Sequence, residues 1–382
     1  MTEDFIQFVR DYYKSPDELI PLHAPVFRGK EIEYVTDTIR STFVSSVGAY
    51  VDRFEVMMKS ITGAKYAIAT VNGTAALHIA LHSLGVGSGD EVITQALSFI
   101  ATANAIRYTG ADPVFIDIDS DSMSLSPMAL LAFLESECEF KDRIVTNKRT
   151  GKRIKAIVPM HTFGNPGRIE EICKVANQFR LDLVEDSAES LGSYVNGKHT
   201  GSFGRLGVFS FNGNKTVTCG GGGAVVTDDE NLGKRLKHIT TTAKVPHPWE
   251  YSHDELGFNY RMPNLNAALA CAQLEQLDDF LNEKRSLSMK YLDFFENTKV
   301  TFKKEIKNSV SNYWLNTIEF QSKSDRDKFL AETNGAKVMT RPAWNPLNTL
   351  PMYQNCVSGS LKNTNHIADR LANIPSGVKW KE

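Results

Sequence analysis

Cysteine is sparse in this 382-residue chain: Cys138, Cys173, Cys219, Cys271 and Cys356 are odd in number, scattered, and never spaced as CxxC. That pattern offers neither a disulfide framework nor a zinc site, so reduced thiols are the expectation. Neither sign of charge dominates, with 43 Lys and Arg against 45 Asp and Glu for a net charge of −2. A phosphate-backbone footprint needs a basic excess, which excludes a nucleic-acid partner. Long apolar runs are missing too; none reaches the roughly 20 residues that cross a bilayer, so no membrane partner is expected. MTEDFIQFVRDYY (Met1–Tyr13) carries early acids and no sustained apolar run, and so reads as neither a secretory signal nor a transit peptide. The expected compartment is the cytoplasm. There is no internal repeat or low-complexity tract, and 42% hydrophobic with 23% charged residues is ordinary for a folded globular protein. The length fits one large domain with a smaller companion.

What the chain does have is alternation. Short β-branched apolar runs recur at Lys65–Val71, Glu91–Leu97, Pro113–Ile118, Lys155–His161, Leu181–Asp186, Gly207–Phe211 and Gly223–Thr227. Several are apolar almost throughout, as strands covered on both faces are. Helical periodicity fits between them at Thr74–Leu84, Ile100–Tyr108, Pro127–Glu137 and Arg168–Phe179. Strand, helix, strand order predicts an α/β domain with a mostly parallel sheet. Near Met262–Pro263 the character changes to one long helical stretch, Asn264 to about Phe295, then a strand-like YWLNTIEF, a polar helix at Ser324–Glu332 and proline-rich turns. The expected division is a large domain over residues 46–255 and a smaller C-terminal α+β domain over 256–382, with residues 1–45 packing against the latter.

The most informative segment is FSFNGNKTVTCGGGGAVVT (Phe209–Thr227), where Lys215 lies in a loop beside four glycines, Gly220 to Gly223. One reading is a surface lysine in a glycine-rich hairpin. A P-loop is a second, but Asn214 separates Gly213 from the lysine, the glycines follow it, and no helix comes next. A third is a Schiff-base lysine for pyridoxal 5'-phosphate (PLP), and that site requires further parts: an acid near the pyridine nitrogen, a flat group over the ring, and phosphate donors.

Each part has a candidate. Asp186 ends the strand LDLVED, at the carboxyl end where α/β sheets place ligands. A carboxylate about 3 Å from the pyridinium contributes roughly 5 kcal/mol at an effective dielectric near 20, enough to keep that nitrogen protonated. NGTAALHIAL (Asn72–Leu81) runs from a strand through Gly73 and Thr74 into a helix, whose N-terminus suits a phosphate. Ser210 could add a hydroxyl, and Phe99 in ALSFIATANA offers a ring to cover one pyridine face. Taken singly, each also has an ordinary explanation: Thr74 as an N-cap, Phe99 as core, Asp186 as a cap for the turn after its strand.

The ordered set NGTAAL, LSFIATANAI, VEDSAESLGS, FSFNGNK with its glycine run, GFNYRM and RPAWNPL resembles the DegT/StrS type of nucleotide-sugar aminotransferases, which are fold-type-I PLP enzymes. The resemblance runs from about Pro21 to Pro375. It implies a homodimer with sites shared across the subunit interface, Lys215 as Schiff-base lysine, Asp186 at the pyridine nitrogen, Phe99 on the ring, and Gly73, Thr74 and Ser210 on the phosphate. Asn259 matches a position that reaches the phosphate from the partner subunit, and Arg261, two residues on, is a candidate for substrate anions. Where the family often has Gln or His three residues after the aspartate, this chain has Glu189, near the cofactor hydroxyl or substrate. Two readings of it stand: a protonated acid, or a partner for a substrate amide.

His78 and His82 are four apart on one helix, but Ile79 stands where a HExxH zinc motif has Glu, so they read as helix-face histidines and no metal is expected. His161 in PMHTFGNP ends a strand on the site's side, as VHxxG segments do in the family, and is a candidate substrate contact alongside a structural reading. The function implied is transfer of an amino group from glutamate to the 4-keto carbon of a nucleotide-linked sugar. VSSVGAYVDRFE (Val44–Glu55) and TVNGTAALHIAL (Thr70–Leu81) are most similar to enzymes acting on UDP-2-acetamido-2,6-dideoxy-4-keto-hexose in bacillosamine or legionaminic acid pathways. The rivals are a PLP-dependent sugar dehydrase, whose family members carry His in place of the lysine, and a PLP- or sugar-binding regulator without turnover.

Overall fold

A computed structural model describes residues 1–379 of the chain. Seven strands build the main sheet: β1 (Tyr66–Thr70), β2 (Asp90–Gln95), β3 (Asp112–Ile116), β4 (Arg153–Val158), β5 (Asp182–Asp186), β6 (Leu206–Ser210) and β7 (Gly223–Thr227). Their spatial order is β1-β7-β6-β5-β4-β2-β3. All neighbours are parallel except β7, which runs antiparallel to both β1 and β6. A hairpin over 138–147 extends the sheet beside β4. The predicted strands are thus present, with ends moved by up to three residues.

Helices cover both faces, and single-residue alternation decides which core a side chain enters. Val208 and Val225 join Leu77, Leu81 and Leu236 on one face; Phe209, Ala224 and Val226 join Phe54, Ala267 and Cys271 on the other. Each fully buried Val, Leu or Phe side chain among them contributes about 1.5–3 kcal/mol. The helices as far as residue 240 are α1 (Thr2–Tyr13), α2 (Glu31–Arg40), α3 (Ala49–Thr62), α4 (Gly73–Ser83), α5 (Ile100–Tyr108), α6 (Pro127–Glu137), α7 (Ile169–Phe179) and α8 (Glu230–Thr240), all but α1 packing on the main sheet or its cores.

The long helical stretch expected after Pro263 is two helices, α9 (Asn264–Leu274) and α10 (Leu277–Phe295). The break falls at Glu275–Gln276; Leu277 and Phe280 at the start of α10 still share the core of α9, and the change of core comes further along α10. Ala267, Ala268, Ala270 and Cys271 of α9 pack into the main-sheet core with Phe54 and Phe209. Leu287, Tyr291 and Phe295 of α10 pack instead with Phe5, Val9, Tyr13 and Phe329. The first 45 residues are divided between the cores: α1 lies in the second, whereas Tyr34 of α2 lies in the first. A small antiparallel sheet, Thr301–Phe302, Asn316–Glu319, Leu371–Ile374 and Arg341–Pro342 in spatial order, backs the second core. Among the described residues no helix is long and apolar enough to cross a membrane.

Lys284 joins these parts. It is 1% exposed and donates to the carbonyls of Trp314 at 3.2 Å and Ser376 at 2.6 Å. Burial lowers its ammonium from 10.5 to about 7. Below pH 7 both folded and unfolded chains hold the proton; between about 7 and 10.5 only the unfolded chain does, so stability from this group rises with pH there. Urea unfolding should therefore show wild type gaining about 2 kcal/mol on Lys284→Met between pH 7 and 9. A gap that is flat with pH would count against it.

Candidate active site

The site forms where β1, β6 and β5 end. After β1 the chain turns at Asn72, not Thr74, to cap α4: the Asn72 side chain accepts from the Ala75 N–H at 2.8 Å. That leaves Thr74 with its hydroxyl for other work, and the first-turn N–H groups have no intrahelical partner. Two glycines bring the pieces together. A Cβ on Gly73 would lie 2.8 Å from Cβ of Ser210, so only glycine seats the helix N-terminus against the end of β6. A Cβ on Gly223 would lie 2.5 Å from the carbonyl of Asn72, so the last of the four glycines lets β7 run under the α4 cap.

Asp186, the last residue of β5, is 2% exposed. Burial pushes its carboxyl up; a 2.7 Å hydrogen bond from Thr102, the Ala188 N–H at 3.2 Å and the nearby charge of Lys215 oppose that. Lys215 reaches toward it from the loop between β6 and β7, its side chain 12% exposed. Its ammonium donates to Glu189 Oε1 at 3.1 Å, while Glu189 Oε2 accepts the Phe163 N–H at 2.9 Å. Burial pushes the Glu189 carboxyl up to about 7, aided by the charge of Asp186 and opposed by Lys215.

A cavity of about 350 Å³ brings together Gly73, Thr74, Phe99, Asp186, Ser210 and Lys215. Phe99 stands at its mouth, 46% exposed and tilted against Trp344. Asn212 and Asn214, in the same FSFNGNK segment as Lys215, also line the cavity, and Trp314 enters from far along the chain. Thr102, which fixes Asp186, carried a faint signal as a hydroxyl in the first turn after a strand end. Trp314 carried none, being 100 residues from the Asn214 it bonds.

Three candidates lie elsewhere. His161 is a correction to the substrate reading: it is 1% exposed, its Nδ1 accepts the Gly167 N–H, and its Nε2 therefore donates to Glu185 at 3.1 Å. Both nitrogens are used inside the protein. Glu185 in turn accepts the N–H groups of Gly201, Phe203 and Gly204, so the pair braces a turn. Asn259 is exposed and, with Arg261 at 3.4 Å, stands outside the cavity beside the end of β1. His78 and His82 pack against Phe258, and His78 also meets the Tyr260 hydroxyl at 3.1 Å.

A lysine and a buried carboxyl at the ends of this sheet, facing a helix N-terminus, define a fold-type-I PLP enzyme. The chain belongs to the DegT/DnrJ/EryC1/StrS aminotransferase family, whose model matches residues 25–382. It is 40% identical over 334 residues to the GDP-perosamine synthase of Escherichia coli O157:H7, covering 87% of each chain. The solved DegT DnrJ EryC1 StrS aminotransferase from Brucella abortus superposes with a TM-score of 0.84 at 25% identity, over 91% of this chain and 90% of that one. DesI, solved in the presence of its TDP-sugar product, gives 0.81 at 27% identity, over 94% and 88%. This chain is accordingly a PLP-dependent sugar aminotransferase acting on nucleotide sugars.

PLP fits the residues present, because the space a Gly73 side chain would fill faces the Ser210 hydroxyl at a helix N-terminus, with an amine and a buried carboxyl beyond. Filling that space is a direct test. Gly73→Ala should weaken PLP binding at least about tenfold, since it crowds the site where a helix N-terminus meets an anion. Absorbance titration of the stripped enzyme measures it, and unchanged affinity would contradict the cradle.

Proposed function

We propose that this enzyme moves an amino group from glutamate to the 4-keto carbon of a nucleotide-linked sugar, with UDP-2-acetamido-2,6-dideoxy-4-keto-hexose as substrate. The observation that carries the reaction is the Lys215 ammonium held by Glu189 in the cavity that Asp186 lines. The UDP sugar rests on the motif resemblance of Val44–Glu55 and Thr70–Leu81 to enzymes of bacillosamine and legionaminic acid type pathways. A GDP-linked keto sugar is the second reading, favoured by the 40% identity to a GDP-perosamine synthase.

When bound, PLP supplies an electron sink and carries the amino group between the two half-reactions. Lys215 Nζ would hold its aldehyde carbon and, once released, take and return the proton at the reacting carbon. Glu189 Oε1, 3.1 Å from Nζ and with its carboxyl near 7, is placed to exchange a proton with that amine. Asp186 would keep the pyridine nitrogen protonated. Gly73, Thr74 and Ser210 would hold the phosphate, and Phe99 would cover the ring. Glutamate leaves as the 2-oxo acid and the sugar carbonyl becomes an amine, so the exchange balances without an external oxidant.

We place the reaction in a homodimer, because Asn259 and Arg261 are outward-facing in one chain and would serve the partner's phosphate and substrate. The five free cysteines support a reducing compartment, the cytoplasm. The test is incubation with glutamate and UDP-, GDP- and TDP-linked keto sugars, with mass and stereochemistry of the product read out. Amination of a UDP-linked 2-acetamido sugar is expected; amination of the GDP sugar alone moves the assignment to the second reading. Lys215→Ala should lose turnover and the cofactor's absorbance band while keeping its circular dichroism, and full activity in it refutes the mechanism. Asn259→Ala should release PLP faster, and a fully active monomer would rule out the shared site.

A further inference from the structure

The small domain reaches the cavity through residues 311–315. Ser311 Oγ donates to the Gly164 carbonyl at 3.1 Å, Asn312 Nδ2 to the carbonyls of Glu189 at 2.8 Å and Leu191 at 2.9 Å, and the Leu315 N–H to Phe163 at 3.1 Å. Gly164, at φ +92°, lets this segment come close, since a Cβ there would collide with the Asn312 amide. The segment thus touches the same two turns, 161–164 and 189–191, that hold Glu189.

Trp314 is fixed within it at three points. Its N–H donates to Asn312 Oδ1 at 2.8 Å, its carbonyl accepts from Lys284 at 3.2 Å, and its indole Nε1–H donates to the Asn214 carbonyl at 2.7 Å. The ring is 4% exposed, and the Lys215 Nζ lies over its face, 4.0 Å from the centroid. One indole therefore grips two consecutive residues: the backbone of Asn214 by a hydrogen bond and the ammonium of Lys215 by its π-face. A lysine on a loop has four rotatable bonds, and amine geometry near a reacting carbon decides much of the rate. The charged groups that bear on this amine are Glu189 and Asp186; the nearby His23 imidazole is kept neutral by burial and by the charges of Lys284 and Lys215.

We propose that Trp314 is a positioning residue for Lys215: its indole N–H pins the loop at Asn214, and its ring seats the amine opposite Glu189. Lys284 and Asn312 hold the tryptophan itself, so a small-domain segment sets the aim of a large-domain lysine. This rests on Lys215 being the residue that captures PLP.

The test compares Trp314→Phe, which keeps a ring and loses the N–H, with Trp314→Leu, which loses both. Readouts are the rate at which stripped enzyme gains the cofactor absorbance band on mixing with PLP, and kcat and KM for glutamate. The Leu variant should lower the capture rate and kcat by about tenfold, the Phe variant by about threefold, with KM moved less than about twofold. If the Leu variant does not fold, the Phe variant carries the test. Wild-type capture and kcat in the Phe variant, or in a folded Leu variant, would overturn the proposal. So would a loss confined to KM, or a Phe variant as impaired as Leu, since then the ring has no part. Lys215→Ala run alongside separates the two ideas: a band in that variant, or none in wild type, defeats the Lys215 reading, whereas a normal Lys215 contrast with unaffected Trp314 variants defeats this one alone.

Discussion

Two carboxyl groups three residues apart, Asp186 and Glu189, are buried around a single ammonium, and the rest of the site is arranged to keep that triad together. Burial raises both acids, and Lys215 offsets the cost for both. Each carboxyl also takes a backbone N–H, from Ala188 and Phe163 respectively. A carboxyl that is buried with a hydrogen bond to each oxygen is locked in orientation, and one held near 7 remains able to trade a proton.

Strand ends supply the positions that the triad needs. Asp186 closes β5, Ser210 closes β6 and Gly73 opens the helix after β1, while β7 runs back antiparallel between β6 and β1. That reversal places a glycine at the start of β7 against the α4 cap, which is why the glycine run belongs to the architecture as well as to the loop. Thr102 and His161 do comparable work one layer out. Thr102 orients a carboxyl by donating to it, and His161 braces Glu185 and the turn it gathers. A histidine just past a strand end, beside buried carboxyls, is here a strut.

Much of the fold was legible because alternation of covered strands and amphipathic helices leaves a strong local signal; the segments Ile100–Tyr108, Pro127–Glu137 and Gly223–Thr227 coincide with the observed elements. The helical stretch after Pro263 was legible as helix but not as two helices. Both halves satisfy the same periodicity, and α10 itself passes from the core it shares with α9, through Leu277 and Phe280, to the second core at Leu287 and Tyr291, which periodicity does not encode. Lys215, Asp186, Gly73, Thr74, Phe99 and Ser210 were all nameable and line one cavity, each lying at or a few residues past a strand end. Glu189 stood out as a departure from a pattern, and its partner appeared only when the chain folded.

By itself, the amino-acid sequence determined the sheet-and-helix order, the residue types at the strand ends and, through them, the class of chemistry. Those are local properties, set by neighbours within a few residues. The tertiary structure decided which carboxyl meets which amine, that both nitrogens of His161 are spent on the scaffold, and that Trp314, far along the chain, lies under Lys215. Such contacts join positions far apart in the chain, and their geometry comes from close packing of two cores that no local pattern encodes.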